Sequence, residues 1–231
     1  MKFVKLTSLL FTLALSSSVY AAGMVPETSL LLVNENERGA SMDVMNTDSE
    51  PALLYVKVRD LPDDPLPGLI VTQPVVRVEA GKVQRVRFIL KPSATPLKTE
   101  HLKRVMFTTI PELAENKIKI GFRQDLPVII RPADLPYIED PWKDLVWIRS
   151  GNIIKAKNDT PYIIRLEQKV TLLPSGTEVS IPQPYILPKT TIQAQLPASY
   201  SRHDNRVEIY PATRYGYAEG KFTSEITERS E

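Results

Sequence analysis

Few residues in this chain have the types and spacing that catalysis needs. His101 and His203 are the only histidines, far apart in sequence, and neither stands in a spacing that chelates a metal. Ser201-Arg202-His203-Asp204 contains the residue types of a hydrolytic relay. Adjacent residues on a polar loop do not form the spatial relay that hydrolysis requires, so the segment is expected to be a turn. Asp60, Asp63 and Asp64 surround Leu61-Pro62 without the spacing of a calcium loop, and a solvated loop is the expectation there. The 9 glycines form no phosphate-cradling cluster. The absence of cysteine excludes disulfides, zinc-thiolate sites and thiol nucleophiles. A protein without a catalytic centre, metal, cofactor or nucleotide is expected.

The chemistry that remains is recognition. In Ile118-Lys119-Ile120-Gly121-Phe122-Arg123-Gln124 large apolar residues alternate with Lys, Gly and Arg. Such a strand either lies half buried on its own sheet, or offers its backbone to another protein's sheet edge while its alternate side chains fill pockets there. The pattern alone leaves both open.

The elements that must position this segment are β-strands. Runs of Val, Ile, Leu, Tyr and Thr recur between Pro, Asn, Asp and Gly, with almost no 3.6-residue apolar period. The expected strands are 29–33, 40–46, 53–59, 69–72, 75–78, 82–90, 103–110 and a long one over 117–131, then 145–148, 151–156, 162–172, 190–195, 207–210 and 221–226. Twenty prolines are incompatible with a helical bundle but are tolerated at strand edges and turns. Residues 131–141 hold three prolines and read as a linker between two β-domains. The fold class is all-β, with two sandwiches over 22–135 and 136–231.

Ahead of them, Lys2 and Lys5 precede an apolar run from Leu6 to Leu15, and small residues end the stretch at Ala21. This predicts a signal peptide over 1–21, too short in its apolar part to span a bilayer, and hence a soluble exported product. Losing its two lysines lowers the basic count from 29 to 27, equal to the acidic count. A formally neutral chain has no large charge excess with which to hold nucleic acid.

Three segments carry a family resemblance. Pro74-Val-Val-Arg77-Val-Glu79-Ala80-Gly81-Lys82, continuing to Arg85-Val86-Arg87-Phe88, resembles a signature of the PapD-like periplasmic pilus chaperones. Ile129-Ile130-Arg131-Pro132-Ala133 resembles the family's strand end before the interdomain hinge. Asn158-Asp159-Thr160-Pro161-Tyr162 is similar to its second-domain turn. The resemblance implies two immunoglobulin-like sandwiches in a boomerang and no enzymatic activity. The implied role, in the periplasm, is to complete pilus or fimbrial subunits with a donated strand and to pass them to an outer-membrane usher. It implies Ile118, Ile120 and Phe122 as donor residues and an interdomain salt bridge involving Arg131 and Glu100.

One departure is expected to matter. The family's usual carboxylate anchor is an Arg in the first strand and a Lys four residues before Arg-Pro-Ala, yet 29–33 holds no basic residue and the Lys position is Pro127. Pro127 is also expected to break or bulge the strand near 125–127. Glu100-His-Leu-Lys-Arg104-Val105 resembles a motif of the archaic or alternative branch, which makes Arg104 the expected anchor, with Arg87 and Arg123 as alternatives; a guanidinium binds two carboxylate oxygens at once. The competing readings are a pilus subunit or adhesin, and a secreted carbohydrate-binding or hydrolytic sandwich. The first usually lacks a complete last strand. The second should show clustered aromatics or paired carboxylates.

Overall fold

A computed structural model describes residues 23–111, 121–213 and 220–228. The expected leader, Ile118 and Ile120 lie outside the described residues. The first sandwich is built from β1 (Met24–Pro26), β2 (Leu31–Asn34), β3 (Gly39–Asn46), β4 (Ala52–Asp60), β5 (Leu69–Val71), β6 (Val75–Val78), β7 (Val83–Leu90), β8 (His101–Pro111) and β9 (Arg123–Arg131). The second uses β10 (Val146–Ser150), β11 (Ile153–Asn158), β12 (Ile164–Arg165), β13 (Lys169–Leu173), β14 (Thr177–Ser180), β15 (Tyr185–Ile186), β16 (Thr190–Gln195), β17 (Arg206–Ile209) and β18 (Phe222–Glu228). Residues 132–140 connect the two, followed by a 3-10 turn over Pro141–Asp144.

In the first sandwich the chain changes layers at its beginning. β1 pairs with β3, whereas β2 runs parallel to β9, with Leu31 opposite Val128. The strand expected over 29–33 is β2, two residues shorter at its start, and β1 is a further short strand ahead of it that was not expected. Inward residues of both layers, among them Val33, Val44, Leu54, Val56, Phe88, Val105, Phe107, Val128 and Ile130, form one apolar core. Alternation on β4, β7 and β8 follows from this one-sided burial. Gly39 permits the neighbouring strands β3 and β7 to meet at its end of the ladder, since a Cβ there would lie 2.2 Å from the Phe88 carbonyl oxygen. Gly81 turns the chain between β6 and β7 at φ +66, a left-handed conformation that glycine adopts without a Cβ clash. The turn is tied down by the buried Asn46 side chain, which donates to the Val78 carbonyl, while the Asn46 carbonyl accepts from Gly81.

The second core gathers around Trp142 and Trp147 with Ile154, Ile164, Val170, Leu172, Val207 and Ile209. The run expected as one strand over 162–172 is split into β12 and β13, because Ile164 and Arg165 pair with β15 whereas residues 171–173 pair with β17. Asn158 explains its turn motif. Fully buried, its side-chain amide donates to the Tyr162, Ile186 and Leu187 carbonyls, and its Oδ1 accepts from the Thr160 amide and hydroxyl.

The two sandwiches are joined by packing and by one carboxylate. Leu30, Leu61, Leu102 and Ile129 of the first meet Ile163 and Leu187 of the second in a separate apolar cluster. Each fully buried side chain of this size contributes roughly 1.5–3 kcal/mol relative to exposure. Glu100, itself buried, crosses the junction: its amide donates to the Pro161 carbonyl, and its Oε2 accepts from the Ile163 amide. Its Oε1 lies 3.8 Å from Arg131 Nε, and Arg131 also donates to the Leu135 carbonyl. The Tyr162 hydroxyl donates to the Pro136 carbonyl, tying the connecting segment to the second sandwich.

Asp64 departs from expectation. It is 8% exposed, not solvated: one oxygen lies 2.7 Å from His101 Nδ1 and the other accepts from the Leu102 amide. Its carbonyl accepts from Lys103, whose fully buried ammonium also lies 3.3 Å from Asp60. These bonds hold the loop that carries Leu61 into the junction. Asp204, in the segment expected to be a turn, caps that turn by accepting from the Ser201 amide.

Replacing Asn158 with Ala strands several buried backbone groups and should cost about 1–3 kcal/mol, read as a lower denaturant midpoint for the second sandwich. Glu100→Ala removes the acceptor for Ile163 and leaves Arg131 without its carboxylate, a change of about 3 kcal/mol for a buried pair. The expected readout is faster proteolytic cleavage within 132–140 and a broader interdomain distribution in small-angle scattering.

Candidate binding edge and interdomain junction

β9 is the strand from which the candidate site is built. It pairs antiparallel with β8 without interruption, from His101 opposite Ile130 to Thr108 opposite Arg123. The break or bulge expected near 125–127 is absent, and the register explains why. The Phe122 carbonyl accepts from the Thr109 amide, so hydrogen-bonded pairs with β8 fall at every second residue from Phe122. Pro127, opposite Arg104, falls between them and would aim an amide away from β8. On that other side β2 reaches only to Val128. A proline on an unpaired border costs no ladder hydrogen bond.

Over 123–127 β9 therefore has one border paired and the other free of any strand among the described residues. Its faces change along its length as well. Val128 and Ile130 are sealed in the first core, and Ile129 is covered by the second sandwich. Leu126 and Gln124 are only partly buried, and Phe122, on the inward-facing set, is 47% exposed. Phe122 packs edgewise near Gly23, where a Cβ would approach its ring to 3.3 Å. The strand expected over 117–131 begins at Arg123 among the described residues.

The outward face of β8 and β9 carries a cationic cluster. Arg104 reaches diagonally across to Asp125: its Nε donates to Oδ1 at 3.0 Å, and one terminal nitrogen donates to the Asp125 carbonyl at 2.6 Å. Arg59, opposite Arg104 on β4, donates to Asp125 Oδ2 at 3.4 Å. Arg165 of β12 faces the same region from the second sandwich; burial first, and then the Arg104 charge, push its guanidinium below its usual range. Its Nη1 is buried without a hydrogen-bond partner among the described residues. Arg59 and Arg104 thus share the Asp125 carboxylate, while Arg165 adds a third guanidinium close enough for the Arg104 charge to act on it. The arrangement favours an added anion.

Of the other expected anchors, Arg123 is exposed on β9 itself. Arg87 lies on β7, whose neighbours are β3 and β5, so the fold does not bring it to Arg104. Arg165 escaped sequence reasoning because Ile164-Arg165 reads as ordinary strand alternation. Asp125 was not singled out either, although its place two residues before Pro127 puts it on the same face as Arg104. The Arg131 and Glu100 side chains approach each other as described above.

Comparisons with known proteins agree with this geometry. The family described as "Pili and flagellar-assembly chaperone, PapD N-terminal domain" matches residues 23–136, and "Pili assembly chaperone PapD, C-terminal domain" matches 140–222. The chain is 43% identical over 221 residues to the uncharacterized fimbrial chaperone YhcA of Escherichia coli K12, covering 94% of this chain and 97% of that one. Among solved structures its fold is similar to the E. coli chaperone DraB, with a TM-score of 0.72, 23% identity, and coverage of 88% of this chain and 98% of that one. It is also similar to a chain of the Salmonella enterica SafA pilin–SafB chaperone complex, with a TM-score of 0.74, 21% identity, and coverage of 91% and 100%. Two family domains in this order, on two β-sandwiches joined through Glu100 and β9, mean that this chain belongs to the PapD-like family of pilus assembly chaperones, a non-enzymatic class.

Proposed function

We propose that the chain is an exported, non-enzymatic chaperone that holds fimbrial subunits in the periplasm by lending them the segment leading into β9. The observation that carries this reading is the free border of β9 over 123–127, continuous with an inward-facing row that opens to solvent at Phe122. An incoming sheet edge finds backbone donors and acceptors there, and its own open core receives the alternate apolar side chains. Ile118, Ile120 and Phe122 fill that core. Residues 1–21 are the export leader, and the two sandwiches span 22–135 and 136–231. The loaded chaperone is handed to an outer-membrane usher.

Arg104 is the carboxylate anchor in this reading, and Arg165 is a second cation reaching the same anion from the other sandwich. Buried guanidinium donors without a full set of partners are suited to a carboxylate. Arg131 and Glu100 keep the two sandwiches at a fixed angle, so that Arg104 and Arg165 face one another. The Glu100-to-Arg104 motif supports a reading of the chain as a member of the archaic or alternative branch. Subunit exchange draws on the free energy of completing a fold and needs no nucleotide.

The test is co-purification from periplasm with co-expressed fimbrial subunits. Ile120→Asp or Phe122→Asp should abolish recovery of subunits, because burying an unpaired carboxylate costs several kcal/mol. Arg104→Ala should reduce recovery strongly while leaving the thermal transition of the chaperone in place. Full recovery with both aspartate variants would remove the strand-donation reading, and full recovery with Arg104→Ala would remove the anchor assignment.

A further inference from the structure

Arg104 does not wait empty-handed. It bonds two different groups of one residue: the Asp125 carboxylate through Nε, and the Asp125 main-chain carbonyl through a terminal nitrogen. The carbonyl is the more telling partner. Because the residues paired by hydrogen bonds to β8 are Phe122 and every second residue after it, Asp125 is one of those whose backbone groups point to the other border of β9. That border is free of any strand there. The Arg104 side chain therefore covers an acceptor that an added strand must use.

We propose that Asp125 is a positioning residue that works as an internal stand-in for the partner's carboxylate, and that Arg104 is exchanged from Asp125 to the incoming carboxylate as the strand is added. The inference rests on the anchor reading given above. In the free chaperone, Asp125 keeps Arg104 folded over the border and balances part of the charge of Arg59 and Arg104. A charged side chain laid over an unpaired strand border also blocks pairing with unintended strands. A terminal carboxylate arriving between Arg104 and Arg165 competes with Asp125 for the guanidinium. Drawing Arg104 away uncovers the Asp125 carbonyl, so anchoring and strand pairing are coupled: an extended segment lacking the free carboxylate meets a covered border.

The experiment uses the full exported chain and two probes, a short peptide alternating valine with serine that ends in a free carboxylate, and the same peptide ending in an amide. Binding is followed by titration, with the Arg104 Nε–H resonance as a second readout. The wild-type protein should prefer the carboxylate peptide, and Asp125→Asn should raise that preference about three- to tenfold, the scale of one partly exposed ion pair released from competition. The Arg104 resonance should move on titration in both proteins, starting from a different position in the variant. In Arg104→Ala, adding Asp125→Asn should change nothing.

If Asp125→Asn leaves the preference unchanged or lowers it while Arg104→Ala still abolishes it, the stand-in role is overturned and the anchor stands. If the wild-type protein binds both peptides equally, or neither, and Arg104→Ala has no effect, the anchor itself is overturned and the stand-in role with it.

Discussion

The constraint on which this molecule turns is the length of a border. β9 has a neighbour on its β8 side along its whole run, but on its other side β2 stops at Val128. The shortness of β2 follows from the layer change before it, since the chain has just left β3, where β1 pairs, and crosses over at 27–30. A single uninterrupted first strand would have sealed one sheet and left the other incomplete. Splitting it covers the root of β9 and leaves the rest open. Pro127 then sits where its missing amide does no harm, and Asp125 sits where its carbonyl needs a partner.

The same root is where the two sandwiches meet. Val128 and Ile130 face the first core while Ile129 faces Ile163 and Leu187, so a three-residue stretch is buried on both faces. Glu100, just before β8, adds a polar link beside it, and Asp64 with Lys103 and His101 braces the loop that delivers Leu61. Burying so many ionisable groups is costly unless each is bonded. Here the bonds are largely to main-chain groups, which fixes geometry more firmly than pairing between two mobile side chains.

Much of the strand pattern could be read from residue types, and the misses have physical causes. β6 and β16 occur at the expected bounds, 75–78 and 190–195, because prolines and turn residues delimit them: Pro74 and Gly81 around the first, Pro188 and Pro197 around the second. β14 and β15 were not expected: Thr177–Ser180 is a short polar strand that forms a hairpin with β13, and Tyr185–Ile186 is only two residues long and pairs with the distant β12. The 162–172 run was read as one strand because both of its halves are β-prone, and only tertiary pairing divides them. Pro127 was read as a fault because sequence alone does not reveal which border its nitrogen faces. Asp64 was read as solvated because a proline-rich acidic loop ordinarily is. The cationic cluster joins residues of four strands, so neither Arg165 nor the Asp125 contact has a local signature.

The gradient of burial along β9 has a mechanical meaning. A beam clamped at one end and loaded at the other stores its bending near the clamp, and here the clamp is the stretch that both sandwiches grip. A pull applied near Phe122 is thus felt as torque where Ile129 meets Ile163 and Leu187, which makes the angle between the two lobes and the tension on the outer segment two aspects of a single deformation.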